Sequence, residues 1–242
     1  MVNAQEWLDR NYPQAQRNNV REISQPLIIN LGGNEIIKVL EGDLIIEGFP
    51  NLSEICLFEN RLNLVKISNC PECHTVQFHD NQVVSIEFVD CPKIRYFDCS
   101  NNKLSQLPTG LNPETLVHLD ISDNNLTGDL SILSRFINLT CLEIRKNKLS
   151  GSLRSLASLE RLNELNVSVT WINSGLEYLS YSLQRIYCHP SQFPQLKHYR
   201  VNDEGNGEHY DYQAWRGNNE ELIEQAEEQL LQAQIEVPLP NN

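Results

Sequence analysis

Very little in this sequence equips it for catalysis. Its 242 residues contain no GxSxG elbow, HExxH pair, Walker loop or dinucleotide fingerprint, so no catalytic motif with a mechanism behind it is present. No segment approaches the roughly 20 apolar residues of a membrane helix, and the opening MVNAQEWLDRNYPQAQR lacks an apolar run of signal-peptide length. Positive charge is also scarce: 19 basic residues face 32 acidic ones, and the net charge of −13 repels phosphate backbones and anionic lipid. These scarcities set the expectations of a soluble, cytoplasmic chain with neither nucleic acid nor membrane as a partner.

Cysteine is the exception, with seven residues. The number is odd, and Cys73, Cys99 and Cys188 take positions otherwise held by aliphatic side chains, where a free thiol behaves as a small hydrophobe. Reduced cysteines fit a reducing compartment. Acid is concentrated at the end of the chain, where Asp203, Glu204, Glu208, Asp211 and the glutamates beyond them are opposed only by Arg216.

One phrase organises the rest. Ile94 to Leu104 (IRYFDCSNNKL), Leu116 to Leu126 (LVHLDISDNNL) and Leu139 to Leu149 (LTCLEIRKNKL) all fit LxxLxLxxNxL. Apolar first, fourth and sixth positions enclose polar ones, the alternation of a strand with one face buried and one wet. The asparagine at position nine has both donors and acceptors to satisfy backbone where the chain turns inward. Earlier copies begin at Leu52 and Cys73, so that Asn60, Asn81 and Asn102 are 21 residues apart; the spacing then lengthens to 22 at Asn124 and 23 at Asn147. Two further strands are expected in Leu162 to Ile172, where Thr170 replaces the asparagine, and in Leu183 to Cys188, while Leu27 to Leu31 reads as a degenerate first strand.

Such a phrase at this period resembles the leucine-rich-repeat family. The resemblance implies an α/β class fold: a right-handed solenoid of about seven parallel strands, a concave parallel sheet and helical N- and C-terminal caps. A single domain over 1–242 is expected, with an N-terminal cap at 1–26, repeats over 27–197 and an acidic connection and helix at 198–242. Asn3-Ala4-Gln5-Glu6-Trp7-Leu8 with Tyr12-Pro13 also looks like the start of a large set of leucine-rich-repeat proteins expanded in arbuscular mycorrhizal fungi. Some members of that set are fused to protein kinases, but no kinase element appears here. Asn3 and Glu6 form a capping box for a first helix, and Asn218 with Glu221 one for the last, which runs to about Gln234.

Between the strands the two halves differ. Leu44 and Ile46, Val65 and Ile67, and Ile86 and Phe88 alternate as extended chain does. Leu130, Leu133 and Phe136, then Leu153, Leu156 and Leu159, recur every third residue, which suits short helical turns.

Because adjacent strands lie about 4.8 Å apart, equivalent positions form columns on the open face. The fifth-position column is Cys56, Gln77, Asp98, Asp120, Glu143, Asn166 and Tyr187, so three carboxylates stand side by side. Beside them lie Tyr96, His118, Arg145 and Arg185. The bland reading is a solvated polar face. The functional one is a strip that docks a protein partner with a basic surface, through Tyr96, Asp98, His118, Asp120, Glu143, Arg145, Arg185 and Tyr187. The expected function is a non-enzymatic protein-interaction module or scaffold, monomeric and without a cofactor.

Two chemical alternatives compete with it. His118, Cys141 and Asp120 meet on neighbouring strands and suggest an enzyme, or the regulatory arm of one; a thiol nucleophile, however, needs a lowered pKa and an oxyanion hole. Cys70, Cys73 and His74 suggest zinc, but no second CxxC completes four ligands.

Overall fold

A computed structural model describes residues 1–24, 29–31, 34–36, 39–203 and 207–235. Each copy of the phrase supplies a three-residue strand with its apolar fourth position buried between two half-buried neighbours, as at Tyr96–Asp98, His118–Asp120 and Cys141–Glu143. A strand that short buries too little to stand alone, so the copies stack. Among the described residues, eight parallel strands form one ladder: Glu22–Ser24, Glu54–Cys56, Thr75–Gln77, Tyr96–Asp98, His118–Asp120, Cys141–Glu143, Glu164–Asn166 and Arg185–Tyr187. Leu119, Leu142 and Leu165 pair in register and are fully buried, in a core running the length of the ladder.

The head of the ladder departs from expectation. Glu22–Ser24 with the buried Ile23 pairs with Glu54–Cys56 and takes the first place. Ile29–Leu31 instead pairs antiparallel with Asn34–Ile36, and Leu27 and Ile28 lie outside the described residues. Ahead of both, the helix Ala4–Asn11 (α1) is capped as its sequence predicts, the Asn3 side chain accepting from the Glu6 N–H at 2.9 Å.

The asparagines bind one repeat to the next. Asn124 Oδ1 accepts from the Leu104 N–H at 2.8 Å, while its Nδ2 donates to the carbonyls of Cys99 in the preceding repeat and of Ile121 and Ser122 in its own. Asn81, Asn102 and Asn147 repeat the arrangement. All four are buried, so these bonds satisfy backbone groups that water does not reach.

On the outer side the two expected patterns both form. Leu40–Glu47, Arg61–Ser68 and Ser85–Val89 make a parallel sheet, joined at its edge by Val2–Asn3. From Leu130 onward the outer side consists of 3-10 turns, Leu130–Leu133, Leu153–Leu156 and Leu176–Tyr178. Asp129 and Ser152 start the first two turns by accepting from Ser131 and Arg154 N–H groups. Between the two regimes Gly110, at φ +81°, presses against the Phe88 carbonyl, where a Cβ would collide.

The far edge is closed by more than a helix. Arg200–Asp203 and Gly207–Asp211 form an antiparallel hairpin that adds to Arg185–Tyr187, so the last repeat does not end as a bare edge. The short helix Tyr212–Gly217 (α2) then buries Tyr212 and Trp215, and the Tyr212 hydroxyl lies 3.1 and 3.0 Å from the Leu176 and Leu179 carbonyls. Asn218 serves this helix rather than the next, its side chain donating to the Ala214 carbonyl at 2.8 Å. The last helix, Glu220–Ile235 (α3), docks through Ile223 and Ala226 and through the Arg216–Glu227 ion pair at 2.6 Å.

Candidate functional site

The ladder's register sets the columns of the open face. Asp98 pairs with Asp120, Asp120 with Glu143, Glu143 with Asn166 and Asn166 with Tyr187. The neighbouring column runs Tyr96, His118, Cys141, Glu164 and Arg185. The structure therefore brings together on adjoining strands most of the residues that the repeat nominates. Tyr96 and His118 stack face to face, with ring centroids 4.2 Å apart and planes within 8°. Burial lowers the pKa of His118, so its imidazole is neutral at pH 7.

The acids have structural roles that the sequence did not show. Asp98 Oδ1 accepts from the Ser100 N–H and hydroxyl at 3.0 and 2.8 Å, and Asp120 Oδ1 from those of Ser122 at 2.9 and 2.6 Å. Each closes a turn at the strand's end. Asn166 makes the same pair of bonds to Ser168. Burial raises the pKa of Asp120. Glu143 is pushed up to about 7, first by burial and then by Asp120 beside it. At neutral pH the strip therefore does not carry three full charges.

The arginines beside the strip also carry ion pairs of their own. Arg145 pairs with Asp123 at 2.8 Å, a carboxylate shared with Lys146 at 2.7 Å, and Arg185 reaches Glu164 at 3.4 Å. Arg145 also faces the strip, and its positive charge pulls the pKa values of Asp120 and Glu143 down, though less than burial raises them. Tyr187 sits at the far end against His209, 5.5 Å between ring centroids, and burial pushes its phenol up to about 12.

His118 and Cys141 are indeed side by side. However, burial and then the field of Glu143, Glu164 and Asp120 raise the Cys141 thiol to about 12, the opposite of what a nucleophile needs. Cys70 and Cys73 are core residues: Cys70 donates to the Ser68 carbonyl at 3.3 Å and Cys73 to that of Thr75 at 3.8 Å. Exposed His74 bonds to the Thr75 hydroxyl at 3.1 Å. Among the described residues no group of three or more His, Cys, Asp or Glu side chains could hold a metal ion.

One feature of the strand-exit rim went unread in the sequence. Val169 has φ +56°, in the left-handed region that costs an L-residue about 1–2 kcal/mol and suits a β-branched side chain least. The earlier repeats place Glu59, Asp80, Asn101, Asp123 and Lys146 at this position, all with φ between 50 and 56°. Next to it Thr170 stands in the asparagine's slot, and Gln192 of the following repeat substitutes, its Nε2 lying 3.0 Å from each of the Val167 and Ile172 carbonyls. The broken phrase at Thr170 was the available signal.

Repeat phrase, asparagine ladder and parallel sheet together define a leucine-rich-repeat solenoid. No family model matches the chain. It is similar to lumican of Gallus gallus, 31% identical over 179 residues, 70% of this chain and 46% of lumican. It is similar also to the oligodendrocyte-myelin glycoprotein of Homo sapiens, 35% identical over 96 residues, 36% of this chain and 22% of that protein. The chain spans less than half the length of these curated relatives. Among solved structures, internalin C2 of Listeria monocytogenes aligns over 58% of this chain and 73% of its own, with 18% identity and a TM-score of 0.43. The repeat ectodomain of the plant receptor kinase GASSHO1/SCHENGEN3 from Arabidopsis thaliana aligns over 56% of this chain and 20% of its own, with 24% identity and a TM-score of 0.42. Likeness at that level leaves the class resting on the chain's own ladder.

Proposed function

We propose that this chain is a non-catalytic protein-binding module whose concave strip receives a basic segment of a protein partner in a reducing, cytosolic compartment. The observation that carries the reading is the half-buried row Asp98, Asp120 and Glu143 beside the stacked pair Tyr96 and His118. A lysine or arginine laid along the row offsets the repulsion between its acids, and the aromatic pair offers the amphipathic surface that dominates interface energies. Glu143 gives up its proton as the cation arrives, because an opposite charge favours the ionised form. Cys73, Cys99 and Cys188, set into the core as small hydrophobes, support the reducing compartment. The net charge of −13 supports a basic partner and disfavours nucleic acid and anionic membrane.

The test is association of an affinity-captured partner with the parent and with the Asp98→Asn, Asp120→Asn, Glu143→Gln triple variant, at low salt and at about 0.5 M, where screening shortens to a few ångströms. The expected result is a slower on-rate at high salt and at least a tenfold affinity loss in the variant. A salt-independent rate with unchanged affinity would move the interface off the strip.

A further inference from the structure

We propose a second docking surface, on the strand-exit rim around Val169 and Trp171, that takes a peptide segment pairing one large apolar side chain with a neighbouring carboxylate. The proposal does not depend on the concave strip. It starts from an unfavourable choice that the fold does not require. Position eight needs a left-handed residue, which Asn or Asp provides at least strain, and Asn101 and Asp123 fill it in earlier repeats. The strand Glu164–Asn166 is instead followed by a β-branched valine at φ +56°. The valine does not serve the core, for it is 58% exposed, and Trp171 two residues on is 66% exposed. Between them Thr170 is buried and anchored to the Val167 carbonyl at 2.7 Å, so the two apolar residues are held on a fixed turn. A strained, rigid and exposed apolar pair is what an interface selects and a solvated surface does not. Tryptophan in particular is enriched where binding energy concentrates.

The neighbouring repeat supplies the charge. The Lys146 N–H donates to the Ser168 carbonyl at 2.8 Å and the Trp171 N–H to the Leu149 carbonyl at 3.0 Å, so the segment 168–171 runs beside 146–149. Lys148, exposed and without an ion pair among the described residues, stands next to Trp171. Lys146 beside Val169 shares Asp123 with Arg145, two cations on one carboxylate. Lys148 thus sets a cation beside the apolar pair on a chain that is otherwise strongly acidic, and charge complementarity asks for an acidic residue flanking the apolar anchor.

The experiment selects binders from a displayed library of random peptides on the full chain, then measures them against Val169→Asn, Trp171→Ala, Lys148→Glu and Asp120→Asn variants. Selected peptides are expected to combine an aromatic or long aliphatic residue with Asp or Glu. They should lose at least tenfold in affinity on Trp171→Ala and Val169→Asn, reverse their charge preference on Lys148→Glu, and bind Asp120→Asn as tightly as the parent. Val169→Asn should melt about 2 to 4 °C higher, the shift that relief of a kilocalorie-scale strain gives a domain of this size. Peptides indifferent to Trp171→Ala and Val169→Asn would overturn the proposal. So would a concentration-dependent dimer in sedimentation that Trp171→Ala abolishes, since the rim would then be covered by a second copy.

Discussion

Stability should fall as pH rises through neutrality, and Glu143 should be the reason. Its carboxyl titrates at about 7 in the fold against 4.5 for a free side chain, because burial and then Asp120 disfavour the charged form. A folded pKa above the unfolded one means that the native state holds more protons between the two values. Its stabilising effect is therefore fully present below about 4.5, lost as pH climbs toward 7, and absent above it. At about 1.4 kcal/mol per pKa unit the full shift corresponds to about 3 kcal/mol, and the remaining exposure of Glu143 discounts this to about 2 kcal/mol. Glu143→Gln removes the titration while keeping shape and hydrogen-bonding capacity. Urea unfolding of parent and variant from pH 4 to pH 8 should show near-equal stability at pH 4 and a variant about 2 kcal/mol more stable at pH 8. A difference that stays constant across that range would refute the assignment of a neutral Glu143 to the native state.

Leu142→Ala should cost about 2 to 5 kcal/mol, since Leu142 is fully buried between Leu119 and Leu165; a parent-like melt would break the register. Asn124→Ala leaves the Leu104 N–H without its partner and strips a donor from three carbonyls, so urea unfolding should show a loss of about 2 to 4 kcal/mol. Cys141, with its thiol near 12, should alkylate with iodoacetamide at pH 7 more slowly than a free cysteine, and a faster rate would restore the nucleophile reading.

The repeats were legible because their information is local. Side-chain alternation, the asparagine at position nine and the switch from two-residue to three-residue spacing on the outer side all survive in the sequence as periods. What was misplaced lacks a period. Glu22–Ser24 carries one buried residue, Ile23, and owes its place in the ladder to backbone pairing with Glu54–Cys56, which no side chain announces. The hairpin of Arg200–Asp203 with Gly207–Asp211 hides for a similar reason, since polar residues on a closing edge read as connection.

For the strip, equal spacing within the phrase fixed which residues share a column, but not what each does there. The pattern offers only a solvated face or a docking strip for the acids; the bonds from Ser100 and Ser122 give Asp98 and Asp120 a structural use as well. The comparison that separates fold from function is Asn166, which makes the same two bonds to Ser168 with a neutral amide. The turn asks for a side-chain oxygen, and either Asp or Asn supplies it. It does not ask for a charge, and at Asp120 the charge is held against burial and a like-charged neighbour. Glu143 makes no such turn at all: the next position but one is Arg145, which turns to Asp123. The oxygens at Asp98 and Asp120 therefore belong to the solenoid's turns, whereas those turns do not need the negative charge the two side chains carry, and Glu143 takes no part in them.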